Sequence, residues 1–161
     1  MATLKTNVMR ILDSAHITYN TYLYDSNGGV VDGVSVANKI GQPVERVYKT
    51  LVTRGASKNF FIFVIPVSKE LNLKAAAKAV GEKSIIMIKQ DEINKVTGYI
   101  RGGCSPIGMK KDYRTVIDSS CESIETIIFS AGKIGYQVEL SPQELIGFIK
   151  AGVADIAEDG N

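Results

Sequence analysis

The sequence predicts an α/β fold in a single domain spanning 1–161, with a mixed β-sheet, partly barrel-like, surrounded by short helices. Three observations carry this. Apolar residues recur at helical spacing in short stretches closed by glycine or opened by proline, and seven or so runs rich in β-branched and aromatic residues lie between them. No linker, repeat or low-complexity tract interrupts the chain, and its 45% hydrophobic content can build a substantial core without disulfides or a structural metal.

Leu4, Val8, Ile11, Leu12 and Ala15 share one helical face, so the chain opens with an amphipathic helix capped by Thr3 or Thr6. Tyr19 to Tyr24 reads as a strand, the run DSNGG from Asp25 as a turn, and Val34 to Ile40 as a short helix ended by Gly41. Pro43 starts another helical turn. VYKTLVT from Val47 and FFIFVIP from Phe60 form a hairpin across a loose loop, and the second run, apolar on both faces, belongs at the centre of the sheet. Asn72 caps the helix LKAAAKAV, which stops at Gly81; Ile85 to Ile88 is a short strand and Asp91 to Thr97 a short helix. TVID, TIIFS and YQVEL are strands. Ser141, Pro142, Gln143 and Glu144 read as a capping box with proline at the first helical position, which makes LIGFIKAG the closing helix and AEDGN a frayed tail.

Composition narrows the chemistry. A net charge of +2 is too small for non-specific nucleic-acid binding, so any RNA partner must meet a local patch. Cys104 and Cys121 form no CxxC and stand with one histidine, which points to reduced thiols and to no zinc site. The N-terminus lacks a basic region followed by an apolar run, and no stretch approaches the ~18 apolar residues of a membrane span, so a cytoplasmic location without membrane contact is expected. His16, alone at the end of the first helix, leaves no basis for Ser-His-Asp or Cys-His catalysis, and Cys104 has no histidine to activate it. Neither GxGxxG nor GxxxxGK[ST] is present, and the acidic residues show no metal-loop spacing.

Lys49 remains, a lysine inside an apolar strand. It either snorkels to solvent from an edge or stands as a cation at a pocket floor, where it can bind a carbonyl, phosphate or ribose oxygen. Tyr48 and Thr50 should point to the other sheet face. The loops Gly102 to Gly108 and Ser130 to Gly135 are either tight turns or sources of backbone N–H groups for an oxyanion or phosphate. Lys110, Lys111 and Arg114 are either a solvated surface or contacts for RNA phosphates.

VYKTLV, LNLKAAAKAVGEK, TGYIRGGCSPIGMKK and FSAGKIG, in that order and across nearly the whole chain, resemble the YbaK/EbsC family of aminoacyl-tRNA deacylases, in particular its Cys-tRNA(Pro) deacylase branch. That branch is related to the editing domain of bacterial prolyl-tRNA synthetases. The resemblance implies a mixed α/β fold, no metal or organic cofactor, aminoacyl-tRNA as partner and substrate, and prolyl-tRNA synthetase as a further candidate partner. It places the strand lysine on Lys49, the GGxSP loop on Gly102, Gly103, Ser105 and Pro106, the SxGK loop on Ser130, Gly132 and Lys133, and a pocket tyrosine on Tyr24. Lys49, Gly103 and Ser130 are the expected catalytic residues. Tyr24, Thr50, Gly102, Ser105, Pro106, Ala131, Gly132, Lys133 and Gln137 are the expected substrate contacts. The chain departs from the pattern at Ile134, where a basic residue is expected, and at Gln137, where some members carry aspartate. Val30 to Ser35 stands in place of an acidic loop, so no general base is assigned there.

A site without a base can cleave an ester if the substrate supplies the nucleophile. A cysteinyl ester does so: its thiol, with a pKa of about 8.5, can attack its own carbonyl and expel the ribose oxygen as a cyclic thioester forms. The protein then orients the acyl end through Lys49 and holds the carbonyl oxygen with amides of Gly103 and its neighbours. The alternatives are a deacylase for another small aminoacyl-tRNA such as Ala-tRNA(Pro), a non-catalytic tRNA-binding module, and a scaffold domain.

Overall fold

A computed structural model describes residues 4–160. Among these the chain runs α1 (Asn7–Ser14), β1 (Asn20–Leu23), α2 (Gly33–Ile40), β2 (Tyr48–Gly55), β3 (Phe60–Pro66), β4 (Glu70–Leu71), α3 (Leu73–Val80), β5 (Ile85–Met87) and α4 (Ile93–Thr97). β6 (Arg114–Asp118), β7 (Ile127–Ser130), β8 (Tyr136–Leu140), α5 (Pro142–Ile149), β9 (Gly152–Ala154) and β10 (Ala157–Glu158) complete it. No helix among the described residues is long and apolar enough to cross a membrane.

The strand FFIFVIP is apolar at every position because both of its faces are covered, and β3 is the middle strand of a five-stranded sheet ordered β5-β2-β3-β6-β9. Phe61, Phe63 and Ile65 pack with Ala76, Ala77 and Val80 of α3 on one side. On the other, Val64 joins Val8 and Leu12 of α1 and Phe129 of β7, while Ile62 joins Val52. β2 and β3 are antiparallel, whereas β3–β6 and β6–β9 are parallel. This gives the expected mixed sheet. A second sheet, β1-β8-β7, is antiparallel throughout.

The helix ends follow local chemistry. Thr6 caps α1 by accepting from the Met9 N–H; the alternative cap, Thr3, lies outside the described residues. Asp32 and Asn72 cap α2 and α3, and Gly41 and Gly81 close them in the left-handed region. Two expectations need correction at the C-terminus. Ser141 makes no side-chain capping bond, so there is no capping box, although Pro142 does occupy the first turn of α5. Nor does the chain end in a frayed tail: α5 stops at Ile149, β9 adds to β6, and β10 pairs with β4. The tail is held because Asp118 accepts from the Ile156 and Ala157 N–H groups at 3.0 Å each, while Ile156 is fully buried and Lys69 pairs with Asp159. Only Asn161 of that segment lies outside the described residues.

The two larger sheets meet at one point, a parallel bridge between Val47 and Ile128. Polar groups brace it. Buried Glu139 on β8 accepts from Asn20 Nδ2, Tyr22 OH and Thr126 Oγ1, and Arg46, just before β2, donates to Thr126 Oγ1 at 2.6 Å with its guanidinium 3.7 Å from Glu139. Burial pushes the Glu139 carboxyl up, but these bonds and the Arg46 charge outweigh it, so the net shift is below its ordinary value of 4.5. A depressed carboxylate stabilises the fold above its unfolded pKa, and that contribution is lost as pH falls through the lower folded value. Glu139→Gln is therefore expected to lose about 2–4 kcal/mol at neutral pH in urea melts, with the gap to wild type closing in acid.

Candidate active site

Beyond the Val47–Ile128 bridge β2 and β7 diverge, and a pocket opens between them. Continuing the parallel register two residues along each strand sets Lys49 opposite Ser130, which itself pairs with Gln137 across the β7–β8 ladder. β2 gains its other neighbour, β5, only from Thr53 onward. Its free edge at Lys49 and Thr50 explains how both residues reach one cavity although they alternate across the sheet.

The cavity is small, about 120 Å³. Lys49, Thr50, Ser130, Gln137, Tyr24 and Gly102 line it, so the structure brings these six predicted residues together. Tyr24 stands one residue beyond β1, held by its N–H donating to Gly135 O. Lys49 is half-buried; the ion pairs among the described residues are Lys5–Asp13, Arg46–Glu139, Arg54–Glu92 and Lys69–Asp159, and Lys49 is in none of them. Burial draws its ammonium pKa down, partly countered by the charge of Glu70. Thr50 Oγ1 is buried with no hydrogen-bond partner among the described residues. Such an orphan is costly in a closed fold and points to a partner supplied from outside.

The other predicted residues lie elsewhere. Gly103 is buried and its N–H already donates to Ile100 O at 3.0 Å, so that amide is not the free donor its sequence position suggests. The two glycine loops press together there, and a Cβ on Gly103 would lie 3.2 Å from Ile134 N. The neighbouring residues Gly102 and Cys104 both line the pocket, and their amides carry no protein acceptor among the described residues. Ser105 is buried and accepts from Ile107 N–H, while Pro106 lines a separate groove. Ala131 sits in the core with its N–H on Tyr136 O, Gly132 donates to Ser130 Oγ, and Lys133 covers the Tyr136 ring at 5.3 Å. Arg114 spends its guanidinium on Val80 O and Ala79 O, and Lys110 reaches Lys95 O.

Sequence reasoning missed the apolar walls, Val31, Val36, Val47 and Val67, because valines near strands and helices signal core and nothing more. It also missed Gly33 in the first turn of α2, where a Cβ would come within 2.4 Å of Val67 Cγ1. His16 is exposed at the end of α1, and Asp32 is occupied by Ser35 N–H and Oγ. Two further lining groups are held protonated near neutral pH: burial pushes the Cys104 thiol up to about 11 and Tyr48 up to about 12. What the arrangement offers is a lone cation, an unpaired hydroxyl, free amides and a small apolar wall.

A family model described as the aminoacyl-tRNA editing domain matches residues 29–148. EbsC of Enterococcus faecalis, named as a candidate Cys-tRNA(Pro)/Cys-tRNA(Cys) deacylase, is 40% identical over 152 residues, covering 94% of this chain and 93% of that protein. The proline–tRNA ligase of Fervidobacterium nodosum is 31% identical over 75 residues, 47% of this chain and 13% of the ligase. Among solved structures, a hypothetical protein superposes with a TM-score of 0.85 at 23% identity, covering 95% of this chain and all 100% of that one. A candidate trans-editing enzyme for prolyl-tRNA synthetase superposes with a TM-score of 0.81 at 21% identity, covering 97% and 99%. Both structures share this fold.

Two substitutions test the pocket geometry. Thr50→Val removes a hydroxyl that has no partner, so thermal melts should show a fold at least as stable as wild type, by up to about 1 kcal/mol, while ligand binding at the pocket weakens. Gly33→Ala should cost about 1–3 kcal/mol by displacing Val67 and should lower activity with it.

Proposed function

The chain belongs to the aminoacyl-tRNA editing domain family, and from this premise we propose that it is a trans-editing deacylase that releases cysteine from mischarged Cys-tRNA(Pro), and also from Cys-tRNA(Cys). It acts in the cytoplasm as a single domain, without a cofactor. One observation carries the reading: the pocket presents an unpaired half-buried lysine and, among its described lining residues, no His, Asp or Glu to take a proton.

An ester bond can still be broken there if the acyl group attacks itself. The cysteinyl sulfur, as thiolate, forms a bond to its own carbonyl carbon; the bond from that carbon to the ribose oxygen breaks; and the proton lost by the thiol ends on the released ribose hydroxyl. A four-membered cyclic thioester leaves, and water opens it to cysteine away from the site. Lys49 and the amides of Gly102 and Cys104 stabilise the oxyanion, a role in which one donor is typically worth ~10²–10³-fold in rate. The valine walls favour a small acyl side chain, yet one methylene or hydroxyl is worth only ~1–3 kcal/mol in such a pocket. The chemistry supplies the remaining selectivity: alanyl has no nucleophile, and a seryl hydroxyl stays protonated near neutral pH. The 40% identity to EbsC and the partial matches to proline–tRNA ligases support the choice of tRNA and make prolyl-tRNA synthetase the partner to test.

The test is release of amino acid from Cys-, Ala- and Ser-tRNA(Pro). Cysteine alone should be lost, at a rate that rises toward the thiol pKa of about 8.5. Lys49→Ala, shown to be folded, should slow it by ~10²-fold or more, whereas Cys104→Ser should retain turnover. Equal release of alanine would remove the thiol mechanism, and no release from any ester would remove the enzyme reading.

A further inference from the structure

The pocket beside Lys49 holds a cation and, among its described lining residues, no anion. Its other polar lining side chains are hydroxyls, one thiol and one amide, that of Gln137. Gln137 is 5% exposed, pairs with Ser130 across the β7–β8 ladder, and its amide has no protein partner among the described residues. Residues directly opposed in an antiparallel pair share a sheet face, so Lys49, Ser130 and Gln137 form one row across β2, β7 and β8. Carboxylates on the surrounding elements are outside the lining. Glu139, two residues along β8, is held by Asn20, Tyr22, Thr126 and Arg46; Asp32, ahead of α2, is held by Ser35; and Glu70 on β4 acts on Lys49 only through its charge. The charged groups on the two glycine loops are again cations, Arg101 bonded to Gln90 and Lys133 over the Tyr136 ring.

An aminoacyl ester brings an ammonium of its own, on the carbon next to the carbonyl. With that carbonyl at Lys49, the ammonium enters a cavity of about 120 Å³ already occupied by a cation, and it meets an amide where a carboxylate would be needed to receive it. Like charges repel strongly in a half-buried space, so the amine that fits is the one that has lost its proton. An amide suits that form. Its carbonyl oxygen accepts from an amine or hydroxyl hydrogen and its NH₂ donates to the lone pair of either, which a carboxylate cannot do. We propose that Gln137 binds the α-substituent of the acyl group in uncharged form, and that the protein therefore also cleaves esters of 2-hydroxy-3-mercaptopropionate, in which a hydroxyl replaces the amine. In that further reaction the thiolate sulfur bonds to the carbonyl carbon, the bond from that carbon to the ribose oxygen breaks, and the thiol proton ends on the released ribose hydroxyl. The cleavage rests on the deacylase reading, but the form of the bound amine can be tested without turnover.

Two tRNA(Pro) acceptor hairpins, one carrying cysteine and one carrying 2-hydroxy-3-mercaptopropionate, each on a 3′-amide that the protein does not cleave, are titrated into the whole protein by calorimetry. Heats in phosphate and in imidazole buffer, compared at about pH 6.5, count the protons released. An α-amino group titrates near ~8, so the cysteine hairpin should release close to one proton on binding and the hydroxy hairpin none. Gln137→Glu, shown by thermal melts to be folded, supplies the missing anion and should bind the cysteine hairpin without proton release. Gln137→Met keeps the length and removes the amide, and should raise KM for both esters on the order of 10-fold. In turnover, log kcat/KM for Cys-tRNA(Pro) should rise with a slope of about 2 below pH ~7.5, because amine and thiol must both lose a proton. The hydroxy ester should rise with a slope of about 1 and be cleaved on the order of 10-fold faster than the cysteinyl ester at pH ~6.5. Binding of the cysteine hairpin without proton release, rejection of the hydroxy hairpin while the cysteine one binds, or binding of neither would overturn the assignment. If both hairpins bind as expected and no ester is cleaved, the deacylase reading and the further activity fail together, and the role of Gln137 in binding stands.

Discussion

The site depends on one seam. The five-stranded and three-stranded sheets touch through a single parallel bridge, Val47 to Ile128, and everything that lines the pocket is referred to that point. A longer run of ladder would have zipped β2 to β7 and closed the space; no bridge would have left Lys49 without a fixed relation to Ser130. The brace beneath it is electrostatic. Glu139 gathers donors from β1, from the start of β7 and, through Arg46, from the approach to β2, so one buried carboxylate fixes three segments at the place where the sheets part. A buried charge is tolerated because three hydrogen bonds and the nearby Arg46 charge stand in for water.

Much of this was legible in the sequence wherever one residue decides one feature. The unbroken apolar run of β3 marked a strand covered on both faces, Gly41 and Gly81 marked helix ends, and Lys49 stood out as a charge inside an apolar strand, although snorkelling to solvent would also account for it. Features decided by contacts between distant segments were not legible. β9 and β10 are too short to show a period of two; β9 is held by its pairing with β6, and Asp118, far away in sequence, accepts from the Ile156 and Ala157 amides at the start of β10. Gly103 was misread for the same reason. A glycine loop promises free amides, but which amide is free depends on the turn, and here the Gly103 N–H closes onto Ile100 O.

The electrostatics of the pocket are asymmetric in a way that fits an anion formed only briefly. A lysine drawn half out of water without a counterion is held at a cost, visible in its lowered pKa, and the Glu70 charge offsets only part of it. A permanent carboxylate beside it would remove that cost and also neutralise the cation before any substrate arrived. Leaving Lys49 and Thr50 unpaired keeps their interactions in reserve for the ligand, and an interaction that strengthens as the oxyanion forms lowers the barrier, whereas one equal in ground and transition states does not.

The same arrangement bears on which errors the site can correct. A pocket that carried its own general base would cleave any ester small enough to enter, and discrimination by size between a methyl, a hydroxymethyl and a thiomethyl side chain is weak. Among the lining groups here, Cys104 and Tyr48 are pushed away from neutral titration by burial, and the one charged group cannot accept a proton while it remains an ammonium. With the base withheld, the proposed route requires a substrate that carries its own nucleophile on the acyl side chain, two bonds from the carbon next to the carbonyl. Size then decides what enters, and the chemistry of the acyl side chain decides what leaves.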